Sequence, residues 1–216
     1  MKVKLGQVPL TLLPEKAVYL EKTRTLFLAD LHLGKEHVLR ETGPALPGEH
    51  SANDQRKIID LITTYNCAEL IILGDFVHSP KSAKAHKGEL LQNFLNAVNQ
   101  AGCQACLVPG NHDRLSTSFW QELPIKLIPE GSIVHGLSLF HEPPTEENTA
   151  WLAGHIHPAV YLQGQARDRI RAWCFWLQGS GLVLPAFGSL TGGFVVKPSA
   201  TDHIYISNGT QVVQVE

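Results

Sequence analysis

The chain has 216 residues, of which 44% are hydrophobic and 18% are charged, and its formal net charge is −2. This composition excludes an intrinsically disordered protein, and the net charge excludes a basic field over the whole surface, although a local basic patch stays open. The length suits one good core, so we expect a single domain over residues 1–216.

The N-terminal sequence and the cysteines indicate a cytoplasmic protein. Pro9 and Pro14 interrupt the first residues, so they do not form a secretory signal, and no apolar run is long enough for a membrane-spanning helix. A disulfide framework is not expected in a chain of this size. Cys103 and Cys106 have CxxC spacing, but residues three apart in a strand face opposite sides. We therefore interpret them as buried thiols rather than as a metal or redox site.

The first half of the chain alternates strands and helices. Apolar runs predict strands at 17–20, 25–29, 70–73 and 103–108. Apolar residues at helical spacing predict a helix that opens at Ser51 with a capping box to Asp54, and a second helix over 90–101. Residues 34–48 and 79–88 have loop chemistry. This order predicts a parallel sheet with right-handed crossovers.

The second half of the chain is rich in short strands. Two hairpin turns are predicted at 178–181 and 207–210, the second because it contains Asn-Gly. The predicted strands lie at 125–128, 132–134, 137–140, 151–153, 170–177, 182–184, 203–206 and 211–215. One domain with two packed sheets and helices on the outside accommodates both halves of the chain.

Metal-type side chains follow several of the apolar segments. Asp30 and His32, like His155 and His157, stand two residues apart, so both members of each pair can reach one ion from an extended segment. The other groups are Gly74-Asp75, Gly110-Asn111-His112-Asp113 and the isolated His141. Each pattern alone is also typical of a solvated strand end, a turn or a surface histidine. Their common placement at strand ends favours a metal site, with Asp75 bridging two ions.

These motifs resemble the DxH, GD, GNH[DE], H and GHxH pattern of the calcineurin-like metallophosphoesterases. The resemblance implies a four-layer α/β/β/α sandwich, with two mixed sheets face to face, helices outside and two divalent metal ions at the strand tips. Manganese is the expected metal, with iron and zinc as alternatives. One ion would be held by Asp30, His32 and His157, the other by Asn111, His141 and His155, and Asp75 would bridge them. The alternative for His141 is a loop histidine.

The resemblance also implies a reaction. A hydroxide that bridges the metals would attack the phosphorus in line, and His112 would assist the departing oxygen. Asp113 would hold the tautomer of His112.

A closer resemblance covers nearly the whole chain. The segments 29–36, 73–79, 110–114, 154–158 and 184–193 are similar to those of the bacterial ligase-associated DNA-damage-response phosphoesterases. That family implies metal-dependent phosphodiesterase or endonuclease activity on DNA, with single strands or ends as the expected substrate, and association with a DNA ligase and a helicase. Protein Ser/Thr phosphatases carry GDxVDRG, whereas here Gly74-Asp75 continues as Phe76-Val77-His78-Ser79, without the phosphate-binding arginine. A phosphoprotein substrate is therefore not favoured.

Candidate substrate-binding residues are His78, Arg114, Arg169 and Arg171. Arg167, Arg169 and Arg171 alternate, so a strand would place them on one face, followed by Trp173. Arginines beside aromatic rings suit a single-stranded backbone, but charges also protect a strand edge. For His78 the alternative is a plain loop histidine.

Three hypotheses stay open at this point. The first is a nuclease or phosphodiesterase acting on DNA ends or single strands. The second is a hydrolase of small phosphodiesters or nucleotides, and the third is a non-catalytic component of a repair complex, against which the intact ligand set argues. A homodimer is a further expectation if any tryptophan is exposed.

Overall fold

The computed structural model describes residues 1–43, 49–84, 89–163 and 169–215. The helices are α1 (Lys35–Thr42), α2 (His50–Thr64), α3 (Pro80–Lys84), α4 (Glu89–Gln100) and α5 (Thr117–Gln121). The strands are β1 (Lys2–Leu5), β2 (Val8–Leu12), β3 (Val18–Leu20), β4 (Thr25–Leu28), β5 (Glu69–Leu73), β6 (Gln104–Val108), β7 (Ile125–Leu127), β8 (Ile133–Val134), β9 (Leu137–Leu139), β10 (Trp151–Ala153), β11 (Pro158–Gln163), β12 (Arg169–Gln178), β13 (Gly181–Val183), β14 (Phe194–Val195), β15 (His203–Ser207) and β16 (Val212–Val215).

The first sheet contains β1 to β7 in chain order. Neighbouring strands from β1 to β4 are antiparallel, and those from β4 to β7 are parallel. The parallel part follows the predicted alternation of strands and helices. As a result, β4, β5 and β6 all end at one edge of this sheet, which is where α/β proteins bind ligands.

The second sheet is also mixed. Its main path runs in the order β14, β11, β12, β13, β10, β9 and β8, and β15 and β16 extend it beside β12. β9, β10 and β13 are parallel, whereas β11 and β12 form an antiparallel pair. Because β9 and β10 are parallel, their ends deliver His141 and the segment with His155 to the same region.

The two sheets pack face to face, and alternation along the central strands defines the layers. In β5, Leu70 and Ile72 belong to a core shared with the helices, whereas Ile71 and Leu73 belong to a core shared with the second sheet. These side chains are fully buried, and burial of a side chain of this size contributes about 1.5–3 kcal/mol. Strand alternation thus covers both faces of the first sheet.

The predicted α/β class, with two packed mixed sheets and helices, is confirmed. Among the described residues, every element after α5 is a strand, so no helix covers the outer face of the second sheet. A smaller cluster around Cys174, Val196, Ile204 and Ile206 occupies this face instead.

Several local predictions were wrong. Residues 35–42, predicted as loop, form α1, whose only aliphatic side chains are Val38 and Leu39, too few for a helical pattern. The capping box at Ser51 does not form, since α2 begins at His50 and the N–H of Ser51 donates to the Glu36 carboxylate at 3.3 Å. Strands β1, β2, β11 and β14 and helices α3 and α5 were not predicted.

The interpretation of the cysteines holds. All four are buried free thiols, and Cys103 and Cys106 lie in different core clusters, on opposite faces of the first sheet. Burial raises the pKa of each of these two thiols to about 12, which makes them poor nucleophiles and metal ligands at neutral pH. In the described part of the chain, no helix combines the length and apolarity needed to span a bilayer.

Candidate metal centre

The candidate ligands converge at one edge of the two sheets. Asp30 and Asp75 lie just beyond the ends of β4 and β5, and Asn111 follows β6. The second sheet contributes His141 after β9, and His155 and His157 after β10. With His32, which is two residues after Asp30, these are the seven ligand candidates. The segments that carry them are far apart in the sequence, and the parallel strands bring them together.

The backbone at this edge adopts an uncommon conformation. Five of the ligand candidates have positive φ, at 55° for Asp30, 49° for His32, 49° for Asp75, 68° for His155 and 52° for His157. The left-handed region costs a non-glycine residue about 1–2 kcal/mol. Such strain clusters at functional sites, where the surrounding structure holds the side chains in place.

Two glycines make room for the ligands. A Cβ atom on Gly74 would overlap the imidazole of His141, and one on Gly110 would overlap the Asp75 carboxylate. Gly74 also has a φ of 78°, which an L side chain rarely adopts. The glycines of the GD and GNH motifs therefore allow the close approach of the strand ends.

Asp30, His32, Asp75 and His157 form the first ligand group. One ligand atom from each lies within 4.8 Å of the others. His32 Nε2 is 3.6 Å from Asp75 Oδ2, and His157 Nε2 is 3.2 Å from Asp30 Oδ1. Asp30 also accepts the main-chain N–H of His155, at 3.0 Å to Oδ2, so it links this group to the next.

Asp75, His141 and His155 form the second group. His141 Nδ1 lies 3.1 Å from the Leu73 carbonyl, which can only accept, so Nδ1 carries the proton and Nε2 is free to bind. His141 Nε2 lies 2.9 Å from Asn111 Oδ1, 3.0 Å from His155 Nδ1 and 3.5 Å from Asp75 Oδ1. Asp75 thus belongs to both groups.

The polar atoms of these groups fit bound cations. Both nitrogens of His32 are buried without a hydrogen-bond partner among the described residues. Burial and nearby charge from His157 lower the pKa of His32 to about 2, so its imidazole is neutral and its lone pair is available. Burial raises the pKa of Asp30, against the opposing effect of His157. Carboxylates and imidazoles together are typical ligands of Mn, Fe or Zn.

His112 borders both groups, but Asp113 does not orient it. The side chain of His112 is 37% exposed, and Nε2 lies 3.9 Å from Asp75 Oδ2. Its Nδ1 lies 2.6 Å from the carbonyl oxygen of His78. Asp113 instead accepts the main-chain N–H groups of Phe76, Val77 and Gly110, at 3.2, 3.0 and 2.9 Å. The predicted role of Asp113 is therefore wrong, and the His78 carbonyl supplies the contact.

The candidate substrate-binding residues lie at different distances from the metal groups. The His78 ring stacks on His112, with centroids 5.7 Å apart, and Arg114 is exposed beside Asp113. Arg169 and Arg171 are exposed on β12, in the second sheet. Arg167 falls outside the described residues.

Sequence reasoning missed supporting contacts of the main chain. The Leu73 and His78 carbonyls orient His141 and His112, and any residue type supplies a carbonyl, so no sequence signal marks them. Glu130 accepts the N–H of His141 at 3.0 Å but belongs to no motif. The segment 184–193 lies against the residues just after β4, where the N–H of Gly188 donates to the Asp30 carbonyl.

The family model of the calcineurin-like phosphoesterases matches residues 23–157, a span that contains all of these ligand candidates. The chain belongs to this family. It is accordingly a metal-dependent phosphoesterase, an enzyme that hydrolyses phosphate esters with divalent metal ions.

Two solved structures are similar to this phosphoesterase. The crystal structure of the nuclease MPE from Pseudomonas putida is 28% identical, with a TM-score of 0.81, and the match covers 99% of each chain. The phosphoesterase Yfce from E. coli is 17% identical, with a TM-score of 0.47, over 88% of this chain and 97% of that one. None of the curated proteins compared with the sequence matches it.

Proposed function

We propose that this phosphoesterase is a nuclease that cleaves phosphodiester bonds of DNA at a dinuclear metal centre and acts in DNA repair. The observation that carries the chemistry is the pair of ligand groups that share Asp75 at the strand ends. The nucleic-acid substrate is supported by the similarity to a nuclease over 99% of both chains. That mutual coverage also supports one domain over residues 1–216.

In this proposal, each ligand group holds one divalent ion. Asp30, His32 and His157 would hold the first, Asn111, His141 and His155 would hold the second, and Asp75 would contribute to both. When bound, the ions supply positive charge for the phosphate and activate a water molecule for attack. Manganese suits the mixed oxygen and nitrogen ligands, and iron or zinc would also fit.

His112 is the proposed acid that assists the leaving group. A carbonyl only accepts, so the 2.6 Å contact with His78 keeps the proton on Nδ1 and leaves Nε2 for the substrate. When Nε2 also carries a proton, it can donate that proton to the departing oxygen. The partial exposure of His112 and the exposure of Asn111 leave this side of the site open to substrate.

Arg114 and His78 are proposed to bind the phosphates on either side of the scissile bond. Arg114 is exposed immediately after the GNHD segment, and a guanidinium forms strong paired hydrogen bonds with phosphate. The His78 ring lies beside both His112 and His32, with centroids 5.7 and 5.8 Å away. Association with a DNA ligase and a helicase stays a prediction of the family resemblance.

A panel of substrates tests the proposed function. Manganese-loaded protein should hydrolyse bis-p-nitrophenyl phosphate and a single-stranded oligodeoxynucleotide, and should act weakly on p-nitrophenyl phosphate. Asp75→Asn is the matched control, because it keeps the shape of the side chain but removes the shared charge. Exclusive hydrolysis of a 2′,3′-cyclic nucleotide would instead favour an enzyme for small phosphodiesters. Absence of all hydrolysis at saturating metal would favour the non-catalytic role.

A further inference from the structure

The antiparallel pair β11 and β12 carries exposed basic residues on one face. Along β12, Phe175 and Leu177 pack into the core between the sheets, whereas Cys174 and Trp176 pack on the outer face. Side chains alternate along a strand, so Arg169, Arg171 and Trp173 lie on the same side as Phe175. This side faces the first sheet and the edge with the metal ligands.

An exposed aromatic ring lies on the same face as the arginines. Tyr161 of β11 is directly opposite Arg171 of β12, and directly opposed residues share a face of the sheet. The side chain of Tyr161 is 52% exposed. We call the face formed by Tyr161, Arg169 and Arg171 the ribbon face.

The ribbon face is continuous with the metal groups. Strand β11 begins at the residue after His157, so Tyr161 lies four residues further along the strand, about 13 Å away at about 3.3 Å per residue. The N–H of Phe194 donates to the His157 carbonyl at 2.8 Å, and Arg171 Nη1 reaches the carbonyl of the preceding Gly193 at 3.5 Å. A strand with stacked bases, at about 3.4 Å per nucleotide, covers this distance with roughly four nucleotides.

Trp173 supports the basic side chains from below. The guanidinium of Arg171 lies 5.9 Å from its ring centroid, and the ammonium of Lys16 lies 5.7 Å from it. Lys16 Nζ also donates to the Ala186 carbonyl at 2.7 Å, in the segment that packs beside Asp30. The two cations beside the Trp173 ring place positive charge at the end of the ribbon face that is nearest the metal groups.

The pattern of exposure argues against simple protection of a strand edge. Ile170 stands between the two arginines in sequence, points to the opposite face, and is 63% exposed. Charges that only prevent edge pairing would not leave an exposed isoleucine at the same edge. Arg169 and Arg171, the arginines of this ribbon that the structure describes, instead lie on the side of the metal groups.

We infer that the ribbon face binds single-stranded nucleic acid. The bound part is the segment of the strand that runs from the scissile bond past His157. A base stacks on Tyr161, and Arg169 and Arg171 bind successive phosphates, an arrangement that single-strand binding surfaces use. The inference rests on the proposed function, since it supplies a binding track for the same site.

The test compares cleavage of an oligonucleotide with hydrolysis of bis-p-nitrophenyl phosphate, which is too small to reach the ribbon face. In Tyr161→Ala, the ratio of kcat/KM on oligothymidine to kcat/KM on bis-p-nitrophenyl phosphate should fall about fivefold to tenfold, mainly through KM. Tyr161→Phe should restore the ratio, because it keeps the ring. Ile170→Ala, on the opposite face of the same ribbon, is the matched control.

The arginines are tested through salt dependence. Each arginine that neutralises a phosphate should contribute about 0.7 to the slope of log(kcat/KM) against log[salt] on oligothymidine. The double substitution Arg169→Ala and Arg171→Ala should lower the slope by about 1.4, whereas Lys4→Ala, which removes an exposed charge on β1, should leave it unchanged. Oligouridine in parallel shows whether the track prefers DNA or RNA.

The outcomes separate this inference from the proposed function. If the unmodified protein cleaves oligothymidine and the ribbon variants keep its ratio and salt slope, the inference is wrong and the nuclease function stands. If the unmodified protein hydrolyses bis-p-nitrophenyl phosphate but no oligonucleotide, the nuclease function fails and the inference fails with it.

Discussion

Replacement of Asp113 distinguishes a structural carboxylate from one that acts through His112. Its two oxygens accept three main-chain N–H groups, from Phe76 and Val77 after β5 and from Gly110 after β6. The carboxylate therefore ties together the two loops that carry Asp75 and His112. In Asp113→Ala these N–H groups, of which those of Phe76 and Val77 are buried, lose their acceptor.

The magnitude follows from the three contacts. A buried donor left without a partner costs about 1–3 kcal/mol. Burial raises the pKa of Asp113 to about 6, so the ionised group itself is destabilised, and its removal offsets part of the loss. We expect Asp113→Ala to lower the free energy of unfolding by about 2–4 kcal/mol, and Asp113→Asn by about half as much, because the amide oxygen still accepts.

Urea unfolding followed by tryptophan fluorescence measures this loss, with and without saturating manganese. Metal affinity should fall along with stability, because Asp75 lies in one of the two loops. His112→Ala is the matched control, since it removes the imidazole but not the N–H groups that bind Asp113. If Asp113→Ala keeps its stability and metal affinity but loses turnover as His112→Ala does, the carboxylate acts through His112 and our assignment is refuted.

Three further predictions concern the metal groups and Lys16, a partly buried lysine. His112→Ala should keep both metals, because the main-chain N–H of residue 112 still donates to Asp75 at 3.0 Å. Its kcat on DNA should fall about 10²-fold or more, and its kcat on bis-p-nitrophenyl phosphate should fall less, because that leaving group needs little protonation. Reduced metal content by elemental analysis would make His112 a ligand. Asp75→Asn should weaken metal binding at both sites, whereas Asp30→Asn should weaken it mainly at one. A metal titration that shows equal losses of affinity in the two variants would contradict the shared role of Asp75. Burial lowers the pKa of Lys16 from 10.5 to about 8, so between these pH values the folded protein releases a proton that the unfolded chain keeps. The free energy of unfolding should therefore rise with pH in this window relative to Lys16→Met, by up to about 3 kcal/mol, and parallel pH curves for the two proteins would count against a buried charge.

The positions of the metal-type residues could be predicted from the sequence because each follows a short apolar segment. Parallel strands end at one edge, so Asp30, Asp75 and Asn111 had to lie close together once β4, β5 and β6 were identified. The same reasoning placed Cys103 and Cys106 on opposite faces of the sheet. Periodicity and strand order therefore determined the α/β class and the location of the site.

Only the tertiary structure decided which groups hold the functional side chains. His112 contacts a main-chain carbonyl, and Asp113 accepts three main-chain N–H groups. Every residue type supplies these groups, except that proline has no N–H, so no sequence motif could reveal the contacts. The pairing of Tyr161 with Arg171 depends on the register between two strands, one of which the sequence did not indicate. The helix-free outer face likewise depends on how the second sheet assembles. Long-range register and main-chain contacts arise only when the whole chain packs, so local sequence does not encode them in a readable form.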